Sequence, residues 1–90
     1  MSVSVELLDA FKSAMGGISD YRAAKLIGVT QPTMSNYRTG KILLSPEKIC
    51  LLCELAGFDA VDWLMRHYHA VAKCDKVRNV IEQAQARLAA

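Results

Sequence analysis

The sequence carries its most informative chemistry in a run of polar side chains at residues 31–39. On a helical wheel of about 100° per residue, Met34 and Tyr37 fall on one side. The opposite side carries a mostly polar, short-chained and uncharged set, here called the polar face: Gln31, Pro32, Ser35, Asn36 and Thr39. Side-chain amides donate and accept in one plane, the geometry that pairs with the adenine edge in the DNA major groove. A face selected for solubility alone would more typically carry Lys and Glu, so this pattern favours base readout.

Cationic residues surround this run. Residues 20–48 have a net charge of +3, whereas residues 1–19 have a net charge of −1. The basic residues of the stretch are Arg22, Lys25, Arg38, Lys41 and Lys48. A basic stretch suits a polyanionic partner, although an ordinary solvated surface accounts for the same charges.

Cysteine and histidine offer a second kind of chemistry. Cys50 and Cys53 have the spacing of a metal or redox pair, and Cys74, His67 and His69 follow. Zinc needs four converging ligands, and two histidines two positions apart on a helix point in different directions. Cys50 and Cys53 lie in an apolar run, where free cysteine packs as a small hydrophobe. We therefore expect core packing, with no metal and no cofactor.

Catalytic patterns are equally sparse. Asp59 and Asp62 fit a helix cap and a favourable interaction with the helix dipole. Gly16-Gly17 stands alone without the spacing of a phosphate-binding loop. We predict that the protein is not an enzyme and has no small-molecule substrate.

Capping residues and glycines divide the chain into helices. Five residues are suited to begin a helix: Ser4, Ser19, Thr30, Ser45 and Asp59. Glycines at 16–17, 28, 40 and 57 end the segments between them. No Gly or Pro occurs over 59–90, which predicts one long helix or two abutting ones. Since no run alternates with strand period, the fold is predicted to be all-α.

Within this pattern, residues 20–39 have the spacing of a helix-turn-helix. Ala24 is small where the two helices would pass closely, and Gly28 lies where the chain leaves the first helix in a left-handed conformation. Val29 is an apolar plug under the turn, and Met34 and Tyr37 form the inner side of the second helix.

The stretch 20–39 resembles the helix-turn-helix of lambda-repressor/Cro (XRE-type) regulators of phages and bacteria. The flanking helices at 4–15 and 46–56 fit that family's four- or five-helix DNA-binding domain. The resemblance therefore implies a DNA-binding core over 1–57, followed by a helical C-terminal extension over 58–90.

The resemblance also implies site residues. In that family the residues matching Gln31 and Asn36 contact bases, and those matching Thr33 and Lys41 touch phosphate. Two positions depart from the pattern. Asp20 places a carboxylate where a phosphate-binding Gln is common, so Arg22 or the helix N-terminus is expected to substitute. Pro32 can offer a base only apolar contact.

Together these interpretations assign two sets of contacts. The expected base contacts are Gln31, Pro32, Ser35, Asn36 and Thr39. The expected phosphate contacts are Arg22, Thr33, Arg38 and Lys41.

The C-terminal extension offers a surface for association. A weak coiled-coil spacing runs through Trp63, His67, Ala70, Cys74, Val77, Ile81, Ala84 and Leu88. Packing on the core is expected instead for Trp63, Leu64, Tyr68 and Val71. We expect a homodimer that reads two half-sites of an inverted repeat; the alternative is a frayed or intramolecularly packed extension.

Composition sets the outer limits. Ninety residues with 52% hydrophobic side chains and a net charge of +2 describe one folded domain. The longest apolar run, over 49–53, is far shorter than the roughly 20 residues of a membrane helix, and the N-terminal residues lack the pattern of a secretory signal. Three cysteines form no disulfide framework, which favours the cytoplasm.

The sequence thus predicts a cytoplasmic, phage-type transcriptional regulator, a Cro-like protein or short repressor that binds a double-stranded operator. The alternative is a protein-interaction module such as an antirepressor or an antitoxin-like adaptor. The small net charge and Asp20 favour that alternative, and the polar face disfavours it.

Overall fold

The computed structural model describes residues 2–90, and this part of the chain is all-helical, without a strand. The all-α prediction is confirmed. The six helices are α1 (Val3–Ala14), α2 (Asp20–Ile27), α3 (Gln31–Thr39), α4 (Pro46–Ala56), α5 (Ala60–Val71) and α6 (Asp75–Ala89).

Local capping determines most of the helix ends. Ser19, Thr30, Ser45 and Asp59 each accept a hydrogen bond from a backbone N–H in the first turn of the following helix, as predicted. Gly28 and Gly40 end α2 and α3 with φ of +74° and +79°. Residues with a Cβ resist this left-handed conformation, so glycine lets the chain turn sharply on both sides of α3.

The predicted cap at Ser4 is wrong. Ser2 caps α1, since its Oγ accepts from Val5 N at 3.2 Å. Ser4 lies within the first turn and is buried, and its Oγ accepts from Leu44 N at 2.9 Å. The hydroxyl therefore satisfies a backbone donor 40 residues away and fixes the segment after α3 against the start of α1.

Helix α1 occupies the centre of the core. Leu7, Leu8 and Phe11 recur on one side of it and have no solvent exposure. Around them lie buried side chains from the other elements: Ala23, Ala24, Ile27, Met34, Tyr37, Leu44, Ile49, Leu52 and Cys53. Because α3, α4 and α5 all contact α1, this one helix positions the rest of the domain.

Helix α5 belongs to the same core, although it follows residue 57. Trp63 and Leu64 pack against the core as expected, and Phe58 joins them with its ring centroid 6.3 Å from that of Trp63. The expectation for Tyr68 and Val71 is wrong, since both are exposed. This end of α5 still lies against the domain, since His67 is buried and Val71 lines a cavity with Leu43 and the start of α1; Tyr68 is turned about 100° from His67.

The C-terminal extension forms two helices. The chain is extended at Ala72, and the Arg78 guanidinium donates to the Ala72 carbonyl at 2.6 Å. A bond of 2.7 Å between His69 Nε2 and Glu82 Oε2 joins α5 to α6. The break at 72–74 separates the predicted coiled-coil spacing into two helices that pack on each other, so no continuous seam exists.

The two cysteines of α4 differ. Cys53 is buried, and burial raises the pKa of its thiol. Cys50 is exposed, so core packing is wrong for this residue. It lies beyond the edge of the buried side of α4, because it is turned about 100° from its buried neighbour Ile49.

No helix of residues 2–90 has the length and apolar character needed to cross a membrane.

Replacing Ser4 by Ala tests the buried link between α1 and the segment after α3. The substitution leaves Leu44 N–H buried without its acceptor, so we expect a loss of roughly 1–3 kcal/mol in the free energy of unfolding. Urea denaturation followed by circular dichroism measures it. Ser13→Ala, an exposed serine on the same helix, is the control and should change stability by less than about 0.5 kcal/mol. Equal effects of the two substitutions would contradict the role assigned to Ser4.

Candidate nucleic-acid interface

Helices α2 and α3 are joined by a short turn and pack against each other. Ala24 on α2 and Met34 and Tyr37 on α3 are buried where the two helices meet. Val29 is half-buried beneath the turn, and its N–H donates to Ala24 O at 2.9 Å. Burial raises the pKa of the Tyr37 hydroxyl. These contacts seat the inner side of α3 on the core and leave its other side outward.

Lys48, on α4, contacts the C-terminal end of α2. Its Nζ donates to the Ile27 carbonyl at 2.7 Å, which places a cation at the negative end of the helix dipole. Sequence reasoning counted Lys48 among the charges open to a polyanion. In the structure it joins α4 to α2 instead.

The polar face of α3 points away from the core. Gln31, Pro32, Ser35 and Thr39 are exposed, and Asn36 is half-buried. Apart from Arg38, which bonds to Asp9, the side-chain hydrogen bonds of α3 and its N-cap within residues 2–90 belong to threonines. The amides of Gln31 and Asn36 and the hydroxyl of Ser35 have no such bond there, so their donors and acceptors are available to a ligand.

The two threonine hydroxyls are partly engaged. Thr39 Oγ1 donates to Ser35 O at 3.1 Å, a common arrangement for threonine within a helix. Thr33 Oγ1 accepts from Thr30 Oγ1 at 3.0 Å. Each oxygen keeps a free lone pair, and the Thr33 hydroxyl proton remains free to donate.

The expected phosphate contacts differ in their surroundings. Arg22 and Lys41 are exposed. Arg38 Nη1 lies 2.7 Å from Asp9 Oδ1, and its Nε lies 3.4 Å from Asp20 Oδ2. These carboxylates, Asp9 foremost, raise the pKa of Arg38. The structure therefore places Arg38 in an intramolecular ion-pair network.

Asp20 is the centre of this network. Lys12 Nζ lies 2.8 Å from Asp20 Oδ1, and the Lys12 ammonium is the main cause that lowers the pKa of Asp20. We call Asp9, Lys12, Asp20 and Arg38 the charge cluster. Its two cations and two anions leave it without net charge, and it connects α1, α2 and α3.

The charge cluster borders the polar face. A cleft of about 230 Å³ separates the start of α2 from α3, and its lining comes from both surfaces: Asp20, Tyr21, Gln31, Met34, Ser35 and Arg38. A polyanion seated on Gln31 and Ser35 would thus lie beside Asp20 and Arg38.

Sequence reasoning missed Asp9 and Lys12. They are three positions apart on α1 and share one side of it, a signal that was available. Their partners lie on other helices, however, and the Asp9–Arg38 pair joins residues 29 positions apart. Only the packing of α1 against α3 brings them together.

One comparison with known proteins gives a relative. A segment of 40 residues is 48% identical to the uncharacterized protein Gp-c of Pseudoalteromonas phage PM2. The match covers 44% of this chain and 44% of the phage protein, so the chain matches less than half of that relative's length. No family model and no solved structure matches the chain.

Proposed function

We propose that this protein is a sequence-specific DNA-binding transcriptional regulator of the lambda-repressor/Cro type, which binds an operator by inserting α3 into the major groove. The observation that carries the proposal is the outward polar face of α3. The side chains of Gln31, Ser35 and Asn36 on this face have no intramolecular hydrogen bond among residues 2–90, while the inner side of α3 is fixed in the core. Groups held rigidly and left unpaired in this way suit a ligand with a fixed pattern of donors and acceptors, as base edges have.

The residues divide between two roles. Gln31, Ser35 and Asn36 read base edges, and Pro32 supplies apolar contact, for example to a thymine methyl. Thr39 lies at the far end of the same face and contacts bases through its free lone pair. Thr33, Arg22 and Lys41 bind phosphates and set the register of α3 on the duplex.

The regulator acts as a homodimer on an inverted repeat. Helix α6 has no buried residue in the monomer, and its apolar side chains Val77, Val80 and Leu88 are largely exposed. Such side chains favour association with a second copy. Two copies related by a twofold axis would read half-sites about one DNA turn apart.

The proposed DNA partner and the phage relative suggest where the protein works. As an operator-binding regulator, the protein is proposed to work in the cytoplasm, without a cofactor and without catalysing a reaction. The segment shared with an uncharacterized phage protein supports a phage or prophage origin. The proposed regulator represses by occupying an operator that overlaps a promoter.

Selection of bound sequences from a random duplex pool tests the proposal. At roughly physiological salt, where non-specific phosphate binding is suppressed, we expect enrichment of an inverted repeat with half-sites one turn apart. Enrichment of a single half-site would retain DNA binding and contradict the dimer. No enrichment at any salt would refute the regulator and favour a protein-interaction module.

Replacing Asn36 by Ala tests base readout. Loss of the amide should cost about 1–3 kcal/mol in operator binding and relax the preference at one base position. Binding to a set of single-base operator variants measures both effects. Gln83→Ala, which removes an exposed amide from α6, is the control and should bind all duplexes like the wild type. An unchanged preference in Asn36→Ala would exclude Asn36 as a reader.

Replacing Lys41 by Ala tests the phosphate role. Binding should weaken alike for all duplex sequences, and the slope of log K against log salt should become shallower by about 0.9. Fluorescence anisotropy in a salt series measures the slope. Lys73→Ala, an exposed lysine between α5 and α6, is the matched control and should leave the slope unchanged. A loss confined to certain sequences would contradict the assignment.

A further inference from the structure

The charge cluster has a consequence for the expected phosphate contact at Arg38. Two of the three nitrogens of its guanidinium face carboxylates, since Nη1 lies 2.7 Å from Asp9 and Nε lies 3.4 Å from Asp20. The Arg38 side chain is only 27% exposed. A phosphate that bonded to the remaining nitrogen, Nη2, would meet a cation whose charge is already offset by two neighbouring carboxylates.

The two carboxylates also oppose a phosphate directly. Asp20 is the first residue of α2, where backbone N–H groups and the helix dipole would otherwise favour an anion. Its carboxylate stays ionised beside Lys12 and brings a negative charge to that position. DNA approaching the polar face would meet this charge at the edge of the cleft that Asp20 shares with Gln31 and Ser35.

We propose that Asp9 and Asp20 withdraw Arg38 from the DNA backbone, so that these two acids lower the affinity for phosphates and leave recognition to the polar face of α3. The inference rests on the proposed DNA-binding function. Arg38 is then a positioning residue, which fixes the end of α3 to α1 and α2, and Asp9 is the residue that holds it.

This arrangement lowers the part of the binding free energy that comes from phosphate contacts. Non-specific binding comes almost entirely from phosphate neutralisation, with about 0.9 in salt slope for each contact. Removing one arginine from that set weakens binding to every sequence, whereas the base contacts of α3 are unaffected. The acids therefore weaken binding to unrelated DNA in absolute terms, while the preference among sequences is still determined by the polar face.

Asp9→Asn tests the inference because it removes the negative charge of the closer carboxylate from Arg38 without touching the polar face. Binding to a fluorescent duplex of random sequence should strengthen about eightfold at 0.1 M salt, and the salt slope should steepen by about 0.9. The matched control is Asp62→Asn, which makes the same charge change in another Asp–Arg pair. Asp62 Oδ2 lies 3.0 Å from Arg66 Nη2 on α5, away from the cluster.

Arg38→Met separates release of Arg38 from a simple loss of negative charge. In the otherwise wild-type protein it should leave the salt slope unchanged, whereas Lys41→Ala lowers it. In the Asp9→Asn background it should abolish the gain. Circular dichroism shows whether each variant is folded. If Arg38→Met does not fold, the comparison of Asp9→Asn with Asp62→Asn tests the inference alone.

The outcomes separate this inference from the proposed function. A gain in Asp9→Asn no larger than in Asp62→Asn, or one that survives Arg38→Met, overturns the inference while operator binding stands. A gain on random duplex that depends on Arg38, without an enriched operator, supports the inference and refutes sequence-specific regulation. Absence of duplex binding by every variant at about 50 mM salt overturns both.

Discussion

Burial of one side of α1 is the constraint on which the other elements depend. Leu7, Leu8 and Phe11 have no solvent exposure, and α3, α4 and α5 pack against their helix. In a 90-residue chain the fraction of surface that can be buried is modest. A single central helix therefore supplies the apolar surface against which several neighbouring helices pack. The orientation of α3 is therefore determined by α1 on one side and α2 on the other, and its polar face points outward as a result.

The charged side chains lie around the rim of this core. Since ionised groups are costly to bury, Asp9 and Lys12 lie at the edge of the apolar side of α1, where they meet Asp20 and Arg38. Lys48 similarly reaches the carbonyl end of α2. Two of the five cations over 20–48 thus serve the fold. The net charge of a stretch overstates its attraction for a polyanion when its cations have intramolecular partners.

Features determined by neighbouring residues could be predicted from the sequence. The caps at Ser19, Thr30, Ser45 and Asp59 and the glycine ends depend on a few adjacent positions, and the all-α fold follows from them. Ser4 was misassigned because its partner, Leu44 N, is distant in the chain. Tyr68, Val71 and the cluster around Arg38 depend on how helices pack, which helical periodicity does not specify.

The chemistry of α3 has a cost in stability that its surroundings offset. Nine residues are too few for a stable isolated helix, and Ser35, Asn36 and Thr39 are poorer helix formers than Lys or Glu. The polar face therefore weakens the helix that presents it. Thr30 and Gly40 cap its two ends, Met34 and Tyr37 seat it in the core, and Arg38 joins it to α1 and α2. A helix held by its ends and its inner side can carry an outward face that contributes nothing to the fold, and such a face is free to be specified by a ligand.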